Sequence, residues 1–181
     1  MLIDFASIAE GRQSYGDLTA TIDYPTLVAA TTEILDTVAS IIAGASDHAA
    51  TFVPQDKDLK EDATEGAYTL GHVIVHLTAG LEESAARGLT LARGVEGDGR
   101  SRYETPWETI KTAAQVHARL AESKRLTLAM LGAWPDAPHL DLSIITVPHF
   151  GPMNAIGVHL LGLLHANSHL EQLREIMRQG S

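Results

Sequence analysis

The chain has 181 residues, 45% of them hydrophobic and 20% charged, with a formal net charge of −10 and no cysteine. That length suits one domain able to bury a core without covalent staples, and the missing thiols exclude disulfides, iron–sulfur clusters, thiolate metal sites and cysteine nucleophiles. The acidic balance argues against general nucleic-acid binding, which needs a basic surface to displace phosphate counterions.

The opening "LIDFASIAEG" carries acids where a signal peptide would be basic, so no export signal is expected, and a cytoplasmic setting is. No apolar run reaches the roughly 18 residues of a membrane span. The longest, "IGVHLLGLL", is interrupted by His159 and followed by His165 and His169.

Four segments carry helical period. The first is predicted from about Pro25 to Gly44, with Pro25 in its first turn and a stripe of Leu27, Ile34, Leu35, Val38, Ile41 and Ile42. The polar "QDKDLKEDATEGAY" is then a loop. The second helix is predicted from Thr69 to Arg93, where Val73, Ile74, Leu77 and Leu81 recur at spacings of three and four.

After the glycine-rich "GVEGDGRSR", the third helix is expected to start at "TPWE" and stop near Gly132. Thr105 would cap it, Pro106 would occupy the first helical position and Glu108 would return a bond to the cap. Pro135, Pro138, Pro148 and Pro152 punctuate the next stretch, in which "LSIITV" reads as a short strand or extended packing segment. The fourth helix is expected from about Met153 to Arg178. Four long helices with antiparallel-compatible connections imply an all-α four-helix bundle, its core about residues 25–178, with an N-terminal extension packed on it.

The chemistry lies in the histidines. Positions i and i+4 of a helix project from one face, so His165 and His169 in "LLHANSHLEQL" can point at one atom. Gly157 and Leu161 continue their row, aiming the pair at the bundle interior. Neutral imidazole ligates zinc, nickel, copper or iron, and three histidines with an open position are a common catalytic set. The residues between the two are Ala166, Asn167 and Ser168, so the glutamate base of HExxH is missing and zincin-type hydrolysis is disfavoured. The third ligand has candidates in His72, His76 and His117. Spacing ranks His76 first, because Ala79 and Gly80 beyond it leave room for an ion, with His117 the rival.

Other polar residues have duller readings. Glu83 stands two turns after His76 and four residues before Arg87, a spacing that suits an ordinary helix ion pair better than ligation; Glu82 beside it is the other candidate base. Trp107 and Trp134 read as core or end packing, and spacing alone does not place His149.

"GHVIVHLTAGLEE" together with "HANSHLEQL" resembles the DinB/YfiT-like superfamily of metal-binding four-helix bundles, over about Pro25 to Arg178. The pattern is a histidine on the second helix after an apolar run, then H-x-x-x-H on the last helix, often followed by a glutamine such as Gln172. The resemblance implies His76, His165 and His169 as the metal triad and matches neither His72 nor His117 to a ligand position. It further implies a divalent cation, zinc or nickel foremost, and characterised relatives that are thiol-dependent transferases or isomerases. A low-molecular-weight thiol would supply the nucleophile that a cysteine-free chain lacks. Arg87, Arg93, Arg100 and Arg102 are the candidates for its anionic groups. The expected function is therefore a metal-dependent transferase acting on a small molecule. A non-catalytic metal-binding structural or stress-response protein is the alternative, and a metal-dependent hydrolase comes third. A homodimer is compatible with a bundle of this size; no nucleic-acid or membrane partner is expected.

Overall fold

In a computed structural model the structure describes residues 2–55, 68–97 and 105–180. Eight α-helices are present among them: α1 Ala6–Ala9, α2 Tyr15–Ala20, α3 Tyr24–Ile41, α4 Asp47–Thr51, α5 Leu70–Ala92, α6 Ala113–Gly132, α7 Ala155–Ser168 and α8 Leu170–Gln179. A hairpin of two-residue strands, β1 Ile144–Ile145 and β2 Pro152–Met153, pairs Ile144 with Met153 and Ile145 with Pro152. No helix is long and apolar enough to cross a membrane among the described residues. The fold is the expected all-α bundle.

Local chemistry sets most of the helix starts. Asp23 Oδ1 accepts from the Thr26 amide at 2.8 Å, with Pro25 in the first turn of α3. Thr69 caps α5 by accepting from the His72 amide. Leu27, Ile34, Leu35 and Val38 of α3 meet Val73, Ile74, Leu77 and Leu81 of α5 and Leu160, Leu163 and Leu173 beyond, all inaccessible to solvent. Each such side chain contributes about 1.5–3 kcal/mol relative to exposure. The stripe departs from expectation only at Ile41, which is half-buried.

Helix α5 is the centre of the bundle, and none of its residues from Leu70 to Ala92 is fully exposed. It packs against α6 on one side and α7 on the other. Gly71 at its start lies against Ile110, just before α6, and Arg93 at its end donates to the Ala133 carbonyl at the end of α6, so α5 and α6 run parallel. Against α7 the order reverses: Gly80 faces His165, Ser84 faces Gly162 and Gly88 faces the Ala155 carbonyl. Helix α3 is antiparallel to α6, with Tyr24 Oη donating to the Leu131 carbonyl and Asp36 paired with Lys124. The bundle is thus up–down–down–up. The expectation of antiparallel neighbours throughout is corrected at α5 and α6.

Two further boundaries differ from expectation. Helix α6 starts not at "TPWE" but at Ala113, behind a capping box in which Thr112 accepts from the Gln115 amide and Gln115 Oε1 accepts from the Thr112 amide. Asp47 of α4 adds a third bond at that end, accepting from the Ala113 amide at 2.8 Å. The "TPWE" segment yields one 3-10 turn, Trp107–Thr109, and then extended backbone at Ile110. Tertiary packing overrides the local signal: Trp107 stacks on His72 and Ile110 is pressed onto Gly71. The second difference is in the last helix, which breaks at His169. There the amide bonds to the Ala166 carbonyl, three residues back rather than four, and Ser168 Oγ donates to the His165 carbonyl.

At the amino end, α1 and α2 pack on the bundle as expected. Tyr15 is buried, stacks on Phe150 at 4.7 Å and donates to the Gly157 carbonyl at 2.6 Å. Burial pushes its phenol pKa up, so the proton of that bond stays in place.

Candidate metal centre

The site is made by the close approach of α5 and α7. Gly80, Ser84 and Gly88 repeat every four residues on α5 and present almost no side-chain bulk to α7. Gly162 answers from the other helix: a methyl placed there would meet Ser84 Oγ at 1.8 Å and the Gly80 carbonyl at 3.2 Å. Bulkier residues would hold the helix axes farther apart, since interaxial distance follows the side chains at the contact. The approach brings His76 of α5 within reach of His165 on α7 and His169 at the α7–α8 junction.

The three imidazoles converge on one point. His165 Nε2 lies 3.0 Å from His76 Nε2 and 3.1 Å from His169 Nε2, and one ligand atom from each ring falls within 4.8 Å of the others. The ring centroids are 4.7–5.2 Å apart and the planes cross at 69–85°. Edge-on rings with nitrogens aimed inward are the arrangement of ligands sharing one face of an ion. Nitrogens at about 2.0–2.1 Å from a tetrahedral cation stand about 3.3 Å from one another, close to the spacing here. No proton arrangement serves His165 Nε2 equally well. It carries at most one hydrogen and faces two nitrogens, whereas a cation satisfies all three lone pairs at once. The donor set fits a divalent metal.

Burial is graded across the triad. His169 is 1% exposed, while His76 and His165 are half-buried, so the solvent contact of the triad is through these two rings. His169 Nδ1 lies 2.7 Å from Gln172 Oε1 in the first turn of α8.

The rival histidines are occupied otherwise or lie apart. His72 is 3% exposed and sandwiched between Tyr68 and Trp107, with centroids 4.6 Å away on each side. His117 is half-buried on α6 and His149 is exposed in the turn before β2; neither joins a converging group among the described residues. His159, two turns before His165, is fully buried, and its Nε2 lies 2.9 Å from Thr31 Oγ1. Burial pushes its pKa down to about 4, so it is neutral at neutral pH.

Charged residues around the site mostly hold one another. Glu83 and Arg87 form the expected pair on α5, 4.0 Å apart. Glu82 points instead to α6, where Arg119 binds it and also donates to Thr78 Oγ1 at 3.1 Å. Sequence reasoning missed that pair, and no local spacing announces it. Arg87 shares the α5 row of His76, about 16 Å further along the axis. Arg93 is about 25 Å from His76 along the helix, exposed, and engaged with Ala133, so it does not converge with the histidines. Arg100 and Arg102 lie outside the described residues.

The sequence profile described as the DinB superfamily matches residues 30–173, a span that contains all three histidines. No curated protein and no solved structure matches the chain significantly.

Proposed function

The chain belongs to the DinB superfamily, and on that footing we propose that it is a metal-dependent enzyme whose triad His76, His165 and His169 holds one divalent cation, zinc or nickel. The observation that carries this is the convergence of three imidazoles, one nitrogen of each within 4.8 Å of the others, with His169 buried and His76 and His165 half-buried. A cation at that point would lower the pKa of a thiol or water in its open position and so present a nucleophile at neutral pH.

The chain's own residues supply the rest. Three neutral imidazoles leave the charge of the ion undiminished, unlike a carboxylate set. Half-buried His76 and His165 give the triad its solvent contact, and Gly80 leaves the space that the His165 ring occupies. The chain has no cysteine, so a thiol nucleophile has to arrive with a small molecule. A low-molecular-weight thiol attacking a small electrophile is the reaction class we favour. Arg87, on the same row as His76 and held by Glu83, is the residue suited to an anionic group at the far end of such a thiol.

The test is conjugation of a panel of small electrophiles by metal-loaded protein in the presence of several low-molecular-weight thiols. The proposal expects turnover that needs both thiol and metal. Turnover with metal but no thiol would point to hydrolysis. Metal that stabilises the fold yet supports neither reaction would leave a structural site tying α5 to α7 and α8.

A further inference from the structure

We infer that Gln172 is a positioning residue for this site: it fixes the His169 proton on Nδ1, so that Nε2 reaches the shared point as a lone pair before any ion arrives. The inference rests on the metal reading above and adds the residue that sets one ligand's tautomer and charge environment.

The argument starts from the break at His169. Because the chain leaves α7 there and re-enters a helix at Leu170, Gln172 falls in the first turn of α8, three residues from His169. Its Oε1 lies 2.7 Å from His169 Nδ1, both side chains are buried, and His169 is 1% exposed. An amide oxygen can only accept, so the hydrogen of this bond belongs to Nδ1. A neutral imidazole carries one ring hydrogen. With it on Nδ1, Nε2 is left as an acceptor, 3.1 Å from His165 Nε2 and aimed at the common point. The opposite tautomer would set the Nδ1 lone pair against the Oε1 lone pairs at a residue 1% exposed, and its Nε2–H could not ligate an ion. The repulsion at Nδ1 disfavours that tautomer even without an ion, and the fold therefore chooses the other.

The identity of the partner also matters. Carboxylates and backbone carbonyls are the usual acceptors behind metal-bound histidines, and a carboxylate makes the imidazole a stronger donor. A carboxamide orients the ring equally well and brings no negative charge. At this ligand the site keeps orientation and leaves a bound cation more electrophilic, which suits activation of a thiol or water better than simple retention of the ion.

Two-bond 1H–15N spectra of the histidine rings in metal-free protein test this directly, with His169→Ala to assign the signals. Wild-type protein is expected to show His169 with its hydrogen on Nδ1. Gln172→Met, which keeps length and removes the acceptor, is expected to lose that signature and to bind zinc 10–100-fold more weakly. Gln172→Glu retains the acceptor and is expected to restore both, which separates positioning from mere packing. An Nε2–H signature in the wild type, or a Met variant with unchanged tautomer and zinc affinity, would overturn the inference. Wild-type protein with the Nδ1–H signature that binds no zinc would refute the metal reading and leave the hydrogen-bond assignment standing.

Discussion

Gly80 lies directly beneath the His165 ring, so closely that a methyl group on its α-carbon would stand 2.8 Å from Nδ1 and 3.2 Å from Cε1. The contact is steric, and it limits where one of the three converging imidazoles can go. Gly80→Ala should act on the site without removing a ligand. Alanine in a helix interior gains about 0.5–1 kcal/mol over glycine, which offsets part of the cost of displacing the ring, so the metal-free protein should melt close to the wild type. Zinc affinity should fall at least tenfold as His165 is pushed off its position. Isothermal titration and thermal melts on the same variant separate the two effects; wild-type affinity would show that the ring has room to spare.

Gly162 tests the helix contact itself. A methyl there overlaps Ser84, 1.8 Å from Oγ and 2.8 Å from Cβ. Overpacking of this kind costs about 1–3 kcal/mol, so Gly162→Ala should lower the melting temperature clearly. Removing the obstructing side chain in Gly162→Ala/Ser84→Gly should recover most of the loss, apart from the helix cost of the added glycine. Unequal recovery in a double-mutant cycle measures the coupling between α5 and α7.

The start of α6 separates a local signal from a tertiary one. Thr112 and Gln115 form the capping box, whereas Thr105 caps nothing. Thr112→Ala should cost about 1 kcal/mol in chemical denaturation, and Thr105→Ala should be close to silent. The reverse ranking would restore "TPWE" as the true helix start.

Acid stability follows from His159. Its pKa is pushed from the ordinary 6.5 down to about 4 by burial, against Thr31. Below pH 6.5 the unfolded chain takes up a proton that the folded chain refuses. Stability is therefore unaffected above that value and declines as pH falls through the window from 6.5 to 4. The loss from this one group approaches roughly 3 kcal/mol at the lower end. His159→Leu, which cannot titrate, should lose less stability than the wild type between pH 7 and 4.5. Parallel stability–pH curves for the two proteins would contradict the assignment.

Much of the bundle was legible in the sequence, because three-and-four spacing in α3 and α5 leaves little other way to bury Leu27, Ile34, Val73 and Leu81. Direction was not. The residues between Arg93 and Ala113 carry no pattern that tells a return crossover from a simple turn, and the contacts that decide it, Gly71 with Ile110 and Arg93 with Ala133, join distant positions. The break at His169 was hidden too, since the apolar period continues through Leu170 and Leu173. Within the site, four-residue spacing identified His165 and His169, but between His72 and His76, which share that spacing, only the small Ala79 and Gly80 and the family pattern favoured His76. Aromatic packing accounts for the difference: Tyr68 and Trp107 enclose the first, and the second faces α7. The Glu82–Arg119 pair joins residues 37 positions apart and has no local trace.

Metal stoichiometry in the wild type and in His76→Ala, His165→Ala and His169→Ala tests the shared-cation account most directly, read by elemental analysis and by the visible bands of the cobalt-substituted protein. One equivalent is expected in the wild type, with a low-coordinate nitrogen-ligated cobalt spectrum, and loss of both signals in each variant whose helical content is retained. A stoichiometric ion that survives removal of His76, or a wild-type protein that takes up no metal at all, would contradict it.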